Sequence, residues 1–129
     1  MTIVAAALML GTGNAKAQDD VIGKQNIKLN SRMMTPEALW AMGRIGTVAA
    51  SPDGSKVAYQ VGYYSVKQNK NRQVICVMNS DSEGTGQRQL STSQKSETDP
   101  AWIDSETIAY ISGGEIWSEI GRASCRERV

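Results

Sequence analysis

The chain has 129 residues, 14 Lys and Arg against 13 Asp and Glu, and no histidine. Without an imidazole, the chain cannot build a Ser-His-Asp or Cys-His relay, or a His-ligated zinc or haem site. Two cysteines are too few for a four-thiolate site, and a net charge of +1 gives no basic surface for nucleic acid or an anionic membrane. The composition therefore predicts one modest domain with no catalytic residue, no cofactor-binding residue, no cofactor and no metal ligand.

Residues 1–17 have the order of a secretory signal peptide. An uninterrupted apolar run at 3–10, too short to span a membrane, precedes the small-x-small box at 15–17. The usual basic residues before the apolar run are missing, so we expect the true start to lie upstream; the alternative is a buried N-terminal helix or strand. Export would place the protein in the periplasm of a Gram-negative cell. Residues 18–34 are polar and are predicted to form a flexible mature N-terminus with one edge strand around 26–29.

A short helix is predicted over residues 35–43. Thr35, followed by proline and glutamate, has the side chain of a helix cap, and Gly43 is suited to ending the helix. Leu39 and Met42 are three residues apart, so they share one face of the helix. We expect that face to pack against the rest of the chain.

From residue 44 onward, β-branched and aromatic residues alternate with turn-forming residues, which favours β-strands. The four-residue segment 51–54, Ser-Pro-Asp-Gly, is typical of a turn because proline presets φ and glycine tolerates a positive φ. Strands joined by short turns in chain order form a meander. The predicted strands of this first unit, residues 44–91, lie at 45–50, 56–64, 72–78 and 87–90.

A second unit, residues 99–118, repeats the first at an offset of 51 residues. Four identities support the repeat: Ala50, Asp53, Ala58 and Tyr59 recur as Ala101, Asp104, Ala109 and Tyr110. Four-stranded repeats of 40–50 residues are typical of β-propellers. The predicted fold class is all-β: a partial β-propeller of about one and a half to two four-stranded antiparallel blades over residues 44–118. The alternatives are a chance likeness within a generic β-meander and a small stand-alone β-sandwich.

The last eleven residues, 119–129, break this pattern, with five charges and no strand or helix period. Their sequence resembles the in-frame translation of a common sequencing adapter. We therefore expect a non-native tail, and a natural chain that continues beyond Ser118 with a different sequence.

Three stretches resemble known repeat proteins. Residues 50–59 resemble the SPDG repeat of TolB-like and WD40-like (PD40) propeller blades, and residues 77–90 resemble the end of such a blade, with a local insertion at 82–83. The helix followed by Gly-Arg-Ile-Gly and the SPDG turn, residues 35–54, is similar to the mature N-terminus of exported peptidases of the S9 (prolyl oligopeptidase) family, in particular dipeptidyl-peptidase 5-like members. The resemblance covers about residues 32–118.

This resemblance implies an N-terminal propeller that covers a C-terminal α/β-hydrolase domain acting on peptide substrates. The hydrolase would carry its serine on a G-x-S-x-G elbow, with aspartate and histidine later in the chain. None of these motifs occurs here, so no catalytic position is carried over, and we expect the fragment itself to be inactive. We expect the propeller to filter access to the active site; the alternative is a TolB-like periplasmic binding or scaffold propeller without an enzyme.

Several polar and aromatic side chains could suggest a site, but a structural role is the simpler interpretation for each. We expect Asp53 and Asp104 to form Asx turns and Ser51 to be an exposed hydroxyl without a base. The remaining candidates are an acidic set expected to be solvated (Asp81, Glu83, Glu97, Asp99), a basic set expected to be solvated (Lys67, Lys70, Arg72), and an aromatic set expected to pack between blades (Tyr59, Tyr63, Tyr64, Trp102, Tyr110, Trp117).

Overall fold

The computed structural model describes residues 21–90, 94–120 and 126–129; the predicted signal peptide lies outside them. Strands β1–β4 form one antiparallel sheet and β5–β8 a second, each in chain order, so the all-β, propeller-like prediction is confirmed. The predicted tail contains the end of β7 and all of β8. The elements are α1 (Pro36–Ala41), β1 (Arg44–Ala50), β2 (Lys56–Ser65), β3 (Lys70–Asn79), β4 (Arg88–Gln89), β5 (Glu97–Trp102), β6 (Thr107–Ser112), β7 (Glu115–Ile120) and β8 (Arg126–Arg128).

The helix α1 begins as predicted, but its packing differs. The Thr35 hydroxyl accepts a hydrogen bond from the Ala38 N–H at 3.2 Å. Ala38 is the buried residue of the helix and Leu39 is half-exposed, so the predicted Leu39 and Met42 packing face was wrong. A helix this short turns only a narrow stripe toward the sheet, and a small side chain lets the backbone approach it.

Gly43 serves close packing rather than a left-handed helix end. A Cβ added there would lie 2.8 Å from Tyr63 Cε1 and 2.8 Å from Val61 Cγ1, which is closer than real Cβ atoms come. The backbone between α1 and β1 therefore lies directly on two side chains of β2. The helix itself ends at Ala41, two residues before the predicted end.

The segment 21–29, which we call the strap, has no strand, so the predicted edge strand at 26–29 was wrong. Side-chain hydrogen bonds, instead of a backbone ladder, join it to the first sheet. Arg72 Nη1 donates to the carbonyl of Ile22 at 2.8 Å, and Gln25 Nε2 donates to the carbonyl of Tyr64 at 3.4 Å. The strap is thus attached to β2 and β3 through side chains.

The first sheet buries side chains on both faces, as a blade inside a stack must. Neighbours paired across β2 and β3 share a face: Ala58 with Val77, and Tyr59 with Cys76. Ala58, Ile75 and Val77 face the second sheet, and we call this side the inner face. The opposite side, the outer face, carries a second buried cluster of Tyr59, Val61 and Val74.

The second sheet packs on the inner face of the first in a head-to-tail manner. Ile108 and Tyr110 join Ala58, Ile75, Val77 and Leu90 in one buried cluster. Tyr110 is the repeat equivalent of Tyr59, yet Tyr110 points toward the first sheet while Tyr59 lies on the face away from the second. Equivalent residues therefore point the same way along the stack. This is the relation between successive blades of a propeller, and it differs from a sandwich closed by two polar outer faces.

Candidate functional site

The SPDG segment, residues 51–54, forms a turn built around one carboxylate. Asp53 Oδ1 accepts hydrogen bonds from the Ser51 hydroxyl at 2.6 Å and from the Ser55 N–H at 3.0 Å. Gly54 follows with φ of 72°, the left-handed conformation that glycine adopts at low cost. The hydrogen bonds from Ser51 and then Ser55 lower the pKa of Asp53 from 3.8 to about 2. The Asp53 carboxylate therefore serves as the hydrogen-bond acceptor of its own turn.

Two further turns are also held by an aspartate carboxylate that accepts hydrogen bonds from nearby residues, as predicted for Asp104. Asp104 Oδ1 accepts from the N–H groups of Glu106 at 2.7 Å and Thr107 at 2.8 Å, which lowers its pKa. Asp81 accepts from the hydroxyl and the N–H of Thr85, and these bonds lower its pKa as well. Throughout the described ranges, no three Asp, Glu, Cys or His side chains are grouped to hold a metal ion. These carboxylates shape turns.

The lowered pKa of Asp53 predicts a stability change at acid pH. Because the carboxylate is protonated at higher pH in the unfolded chain than in the folded one, its contribution is present above about pH 4 and is lost as pH falls toward 2. In urea unfolding at pH 7 and pH 3, Asp53→Asn should lower the midpoint at pH 7 and reduce the drop between the two pH values. Glu83→Gln, at an exposed loop position, is the control. An unchanged pH dependence in Asp53→Asn would contradict the turn's electrostatic role.

Three predicted surface residues are buried, so those expectations were wrong. Ser51 is only 4% exposed, and its hydroxyl both donates to Asp53 and accepts from the Lys56 N–H at 3.0 Å. Arg72 lies in β3 beneath the strap, and Glu97 is fully buried in β5. Ser51 is therefore a turn residue with both hydrogen-bonding roles occupied, which supports its rejection as a nucleophile.

The predicted aromatic packing between blades is confirmed for three residues. Trp102 Nε1 donates to the carbonyl of Ala49 at 2.9 Å, which joins β5 of the second sheet to β1 of the first. Trp102 and Trp117 pack against the buried cluster that contains Tyr110. The Tyr110 hydroxyl in turn donates to Glu119 Oε2 at 3.3 Å. Indole and phenol groups thus provide both apolar area and polar contacts at this junction.

The other aromatic residues have different positions. Tyr59 and Tyr63 belong to the outer face of the first sheet. Tyr64 stacks against Trp40 of α1 with ring centroids 5.0 Å apart, and the guanidinium of Arg44 lies 4.9 Å from the Trp40 ring centroid. The aromatic set predicted for one interface is therefore divided among three locations.

One interface contact was missed in the sequence. Gln60 Nε2 donates to Gln73 Oε1 at 2.7 Å, and Gln60 Oε1 accepts from the Asp99 N–H of the second sheet at 3.1 Å. A glutamine at an inward position of β2 breaks the apolar alternation, and that break is the signal that marks it. The amide satisfies a backbone donor where β5 bulges between Thr98 and Ala101.

An open pocket of about 600 Å³ lies over the outer face of the first sheet. The strap, the end of α1 and the side chains of Val61, Tyr63 and Cys76 line it. Cys76 is a free thiol whose pKa is raised mainly by burial, and burial also raises the pKa of Tyr63. Raised pKa values keep both groups neutral at pH 7, so the Cys76 thiol is not an activated nucleophile. Lys24, Gln25 and Arg88 also line the pocket, which is therefore of mixed polarity.

Comparison with known proteins identifies similar chains of larger size. The chain is 40% identical over 83 residues to dipeptidyl-peptidase 5 of Porphyromonas endodontalis; the match covers 64% of this chain and 12% of that protein. It is 35% identical over 80 residues to dipeptidyl-peptidase 5 of Porphyromonas gingivalis, which covers 61% of this chain and 11% of that protein. The chain thus spans about a tenth of the length of the curated relatives it matches.

Two other comparisons bear on the assignment. No family profile and no solved structure matches the chain. The described part of the structure contains no helix long and apolar enough to cross a membrane. The relationship to dipeptidyl-peptidases therefore rests on the two curated relatives named above.

Proposed function

We propose that the chain is the N-terminal part of an exported serine peptidase of the S9 family, in which a β-propeller controls access to a hydrolase domain in the same polypeptide. The observation that carries this proposal is the similarity of about two thirds of the chain to two dipeptidyl-peptidases. The described residues contribute turns, strands and inter-sheet contacts to such a protein. The nucleophile, its base and the oxyanion hole would come from elsewhere in the longer chain.

The head-to-tail stacking of the sheets supports the propeller part of the proposal. In the described chain, the Trp102 contact to Ala49 and the buried cluster join the second repeat to the first, and equivalent residues of the two point the same way. A ring built this way has a central channel, and its width limits which peptides enter. Peptides that pass would lose dipeptides from their N-terminus; folded proteins would be excluded.

The test is an assay of the complete protein with mass-spectrometric detection of products. We expect dipeptides to be released from an unstructured peptide of about ten residues, and no release from a folded protein that carries the same N-terminal sequence. The 129-residue chain is the matched control and should be inactive, because it has no histidine. If the complete protein binds the peptide but releases no dipeptide, the proposal fails in favour of a TolB-like periplasmic binding propeller.

A further inference from the structure

A row of three paired residues across the first sheet forms part of a recess of about 380 Å³. Arg44 of β1 pairs with Gly62 of β2, and Gly62 pairs with Gln73 of β3. Paired residues point to the same face of a sheet, so Arg44 and Gln73 flank a position that has no side chain. Neighbouring strands lie about 4.8 Å apart, which puts the two flanking backbones about 10 Å apart. The gap has room for a ligand group that is held from both sides.

The recess lies beside the junction of the two sheets, on the inner face of the first. Ser96, just before β5, accepts a hydrogen bond from the Gln73 N–H at 3.2 Å, and Gln60 binds the second sheet at Asp99. Further repeats would stack beyond the second sheet, because equivalent residues of the two described repeats point the same way. The recess is therefore built by the described strands and is not a face that the next repeat would cover.

The hydrogen bonds at this junction leave one amide donor available at the recess. Gln60 Oε1 accepts from the Asp99 N–H, so the other end of the Gln60 amide is the donor that binds Gln73 Oε1 at 2.7 Å. A backbone N–H can only donate, and this fixes the order of the atoms in both amides. Gln73 Nε2 is then a donor with no hydrogen-bond acceptor among the described residues.

Arg44 supplies the charge of the recess. Its guanidinium lies 4.9 Å from the ring centroid of Trp40, which in turn packs against Tyr64. A guanidinium stacked on a ring keeps the N–H groups of its edge for a second partner. Arg44 is exposed, and no carboxylate in the described part of the chain forms an ion pair with it. The described residues that line the recess include no aspartate or glutamate.

We infer that this recess binds a short peptide segment through a carboxylate. Arg44 and Gln73 Nε2 present donors from both sides of the gap at Gly62, and a carboxylate accepts at two oxygens. The Asn71 amide, also at the recess, suits the neighbouring peptide groups because it both donates and accepts. The volume is at the low end for ligand pockets, which fits a segment of a few residues. The inference concerns this chain alone and does not depend on the longer protein being a peptidase.

Isothermal titration calorimetry of the 129-residue chain at low salt tests the inference with three blocked pentapeptides. The first has a central glutamate and an amidated C-terminus, the second a central glutamine and a free C-terminus, and the third a central glutamine and an amide. We expect a Kd below about 1 mM for at least one of the first two. Binding of the first assigns an acidic side chain as the ligand group, and binding of the second assigns a peptide C-terminus. No binding by either, or equal binding by the neutral third peptide, overturns the inference.

Three variants locate the binding. Arg44→Gln removes the charge, and Gln73→Glu keeps the acceptor for Gln60 while it replaces the donor with an anionic oxygen. Each should weaken binding by about tenfold or more, because charge-assisted hydrogen bonds are lost. Arg32→Gln, at an exposed position that does not line the recess, is the matched control and should bind like the unchanged chain. Circular dichroism checks that each variant is folded. An equal loss in Arg32→Gln would indicate attraction by net charge and overturn the assigned site, as would unchanged binding in Arg44→Gln.

Discussion

Replacing Ile75 by alanine is expected to lower the free energy of unfolding by about 2–5 kcal/mol. Ile75 is fully buried in the cluster that joins the two sheets and shares it with Ile108 and Tyr110 of the second sheet. Alanine removes three carbon atoms and leaves a cavity that two stacked sheets cannot close without shifting. Because a small domain is stable by only about 5–15 kcal/mol, this one change takes a large part of the total.

Urea unfolding followed by circular dichroism measures the effect of Ile75→Ala. Ile103→Ala is the control, since Ile103 is largely exposed and its truncation should change the free energy by no more than about 0.5 kcal/mol. Equal, small losses in the two variants would mean that the sheets do not share the core described above.

Replacing Trp102 by alanine is expected to cost about 3 kcal/mol. The indole packs on the inter-sheet cluster, and its N–H satisfies the carbonyl of Ala49 on the other sheet. Trp102→Phe keeps most of the apolar area and removes the hydrogen bond, so it should cost about 1 kcal/mol. The difference between the two variants separates packing from hydrogen bonding.

The same unfolding measurement, with Trp40→Ala as the control, checks the prediction for Trp102. Trp40 has the same side chain but is partly exposed on α1, where it contacts Tyr64 and Arg44. We expect it to cost about 1 kcal/mol or less. If Trp40→Ala were as destabilising as Trp102→Ala, the link between β1 and β5 would not hold the sheets together.

Features set by neighbours in the chain could be predicted from the sequence. The turn at Asp53 depends on Ser51 and Ser55, and the turn at Asp104 on Glu106 and Thr107. Both were expected as Asx turns because the side chain and its donors lie within three residues. The strands of the first sheet followed from the same local alternation, and their predicted ends differ from the observed ones by at most two residues.

Features set by distant parts of the chain could not be predicted in this way. Arg72 was expected in solvent because its neighbours are polar, but its acceptor, the carbonyl of Ile22, is 50 residues away. Glu97 sits between polar residues and is buried by the packing of two sheets. A hydrophilic neighbourhood in the sequence therefore does not show whether a distant segment of the chain will cover a side chain.

The aromatic residues show both cases. Alternation placed Tyr59 and Tyr110 on strands and the repeat made them equivalent, yet one lies in the interface and the other on the outer face. Their difference arises from their position in the stack, since only Tyr110 has a sheet before it. The repeat in the sequence therefore predicted the propeller-like relation between the sheets. Which side chains lie in the interface could be learned only from the structure.

The nucleotide sequence of the uninterrupted gene beyond the codon for Ser118 tests the central claim most directly. The account predicts that the codons after Ser118 encode a sequence different from residues 119–129 and that further SPDG-type repeats follow. It also predicts a G-x-S-x-G motif several hundred codons later, with aspartate and histidine after it. A reading frame that ends after the repeats without this motif would contradict the peptidase assignment. A frame that stops at Val129 in the genome would contradict both the peptidase and the longer propeller.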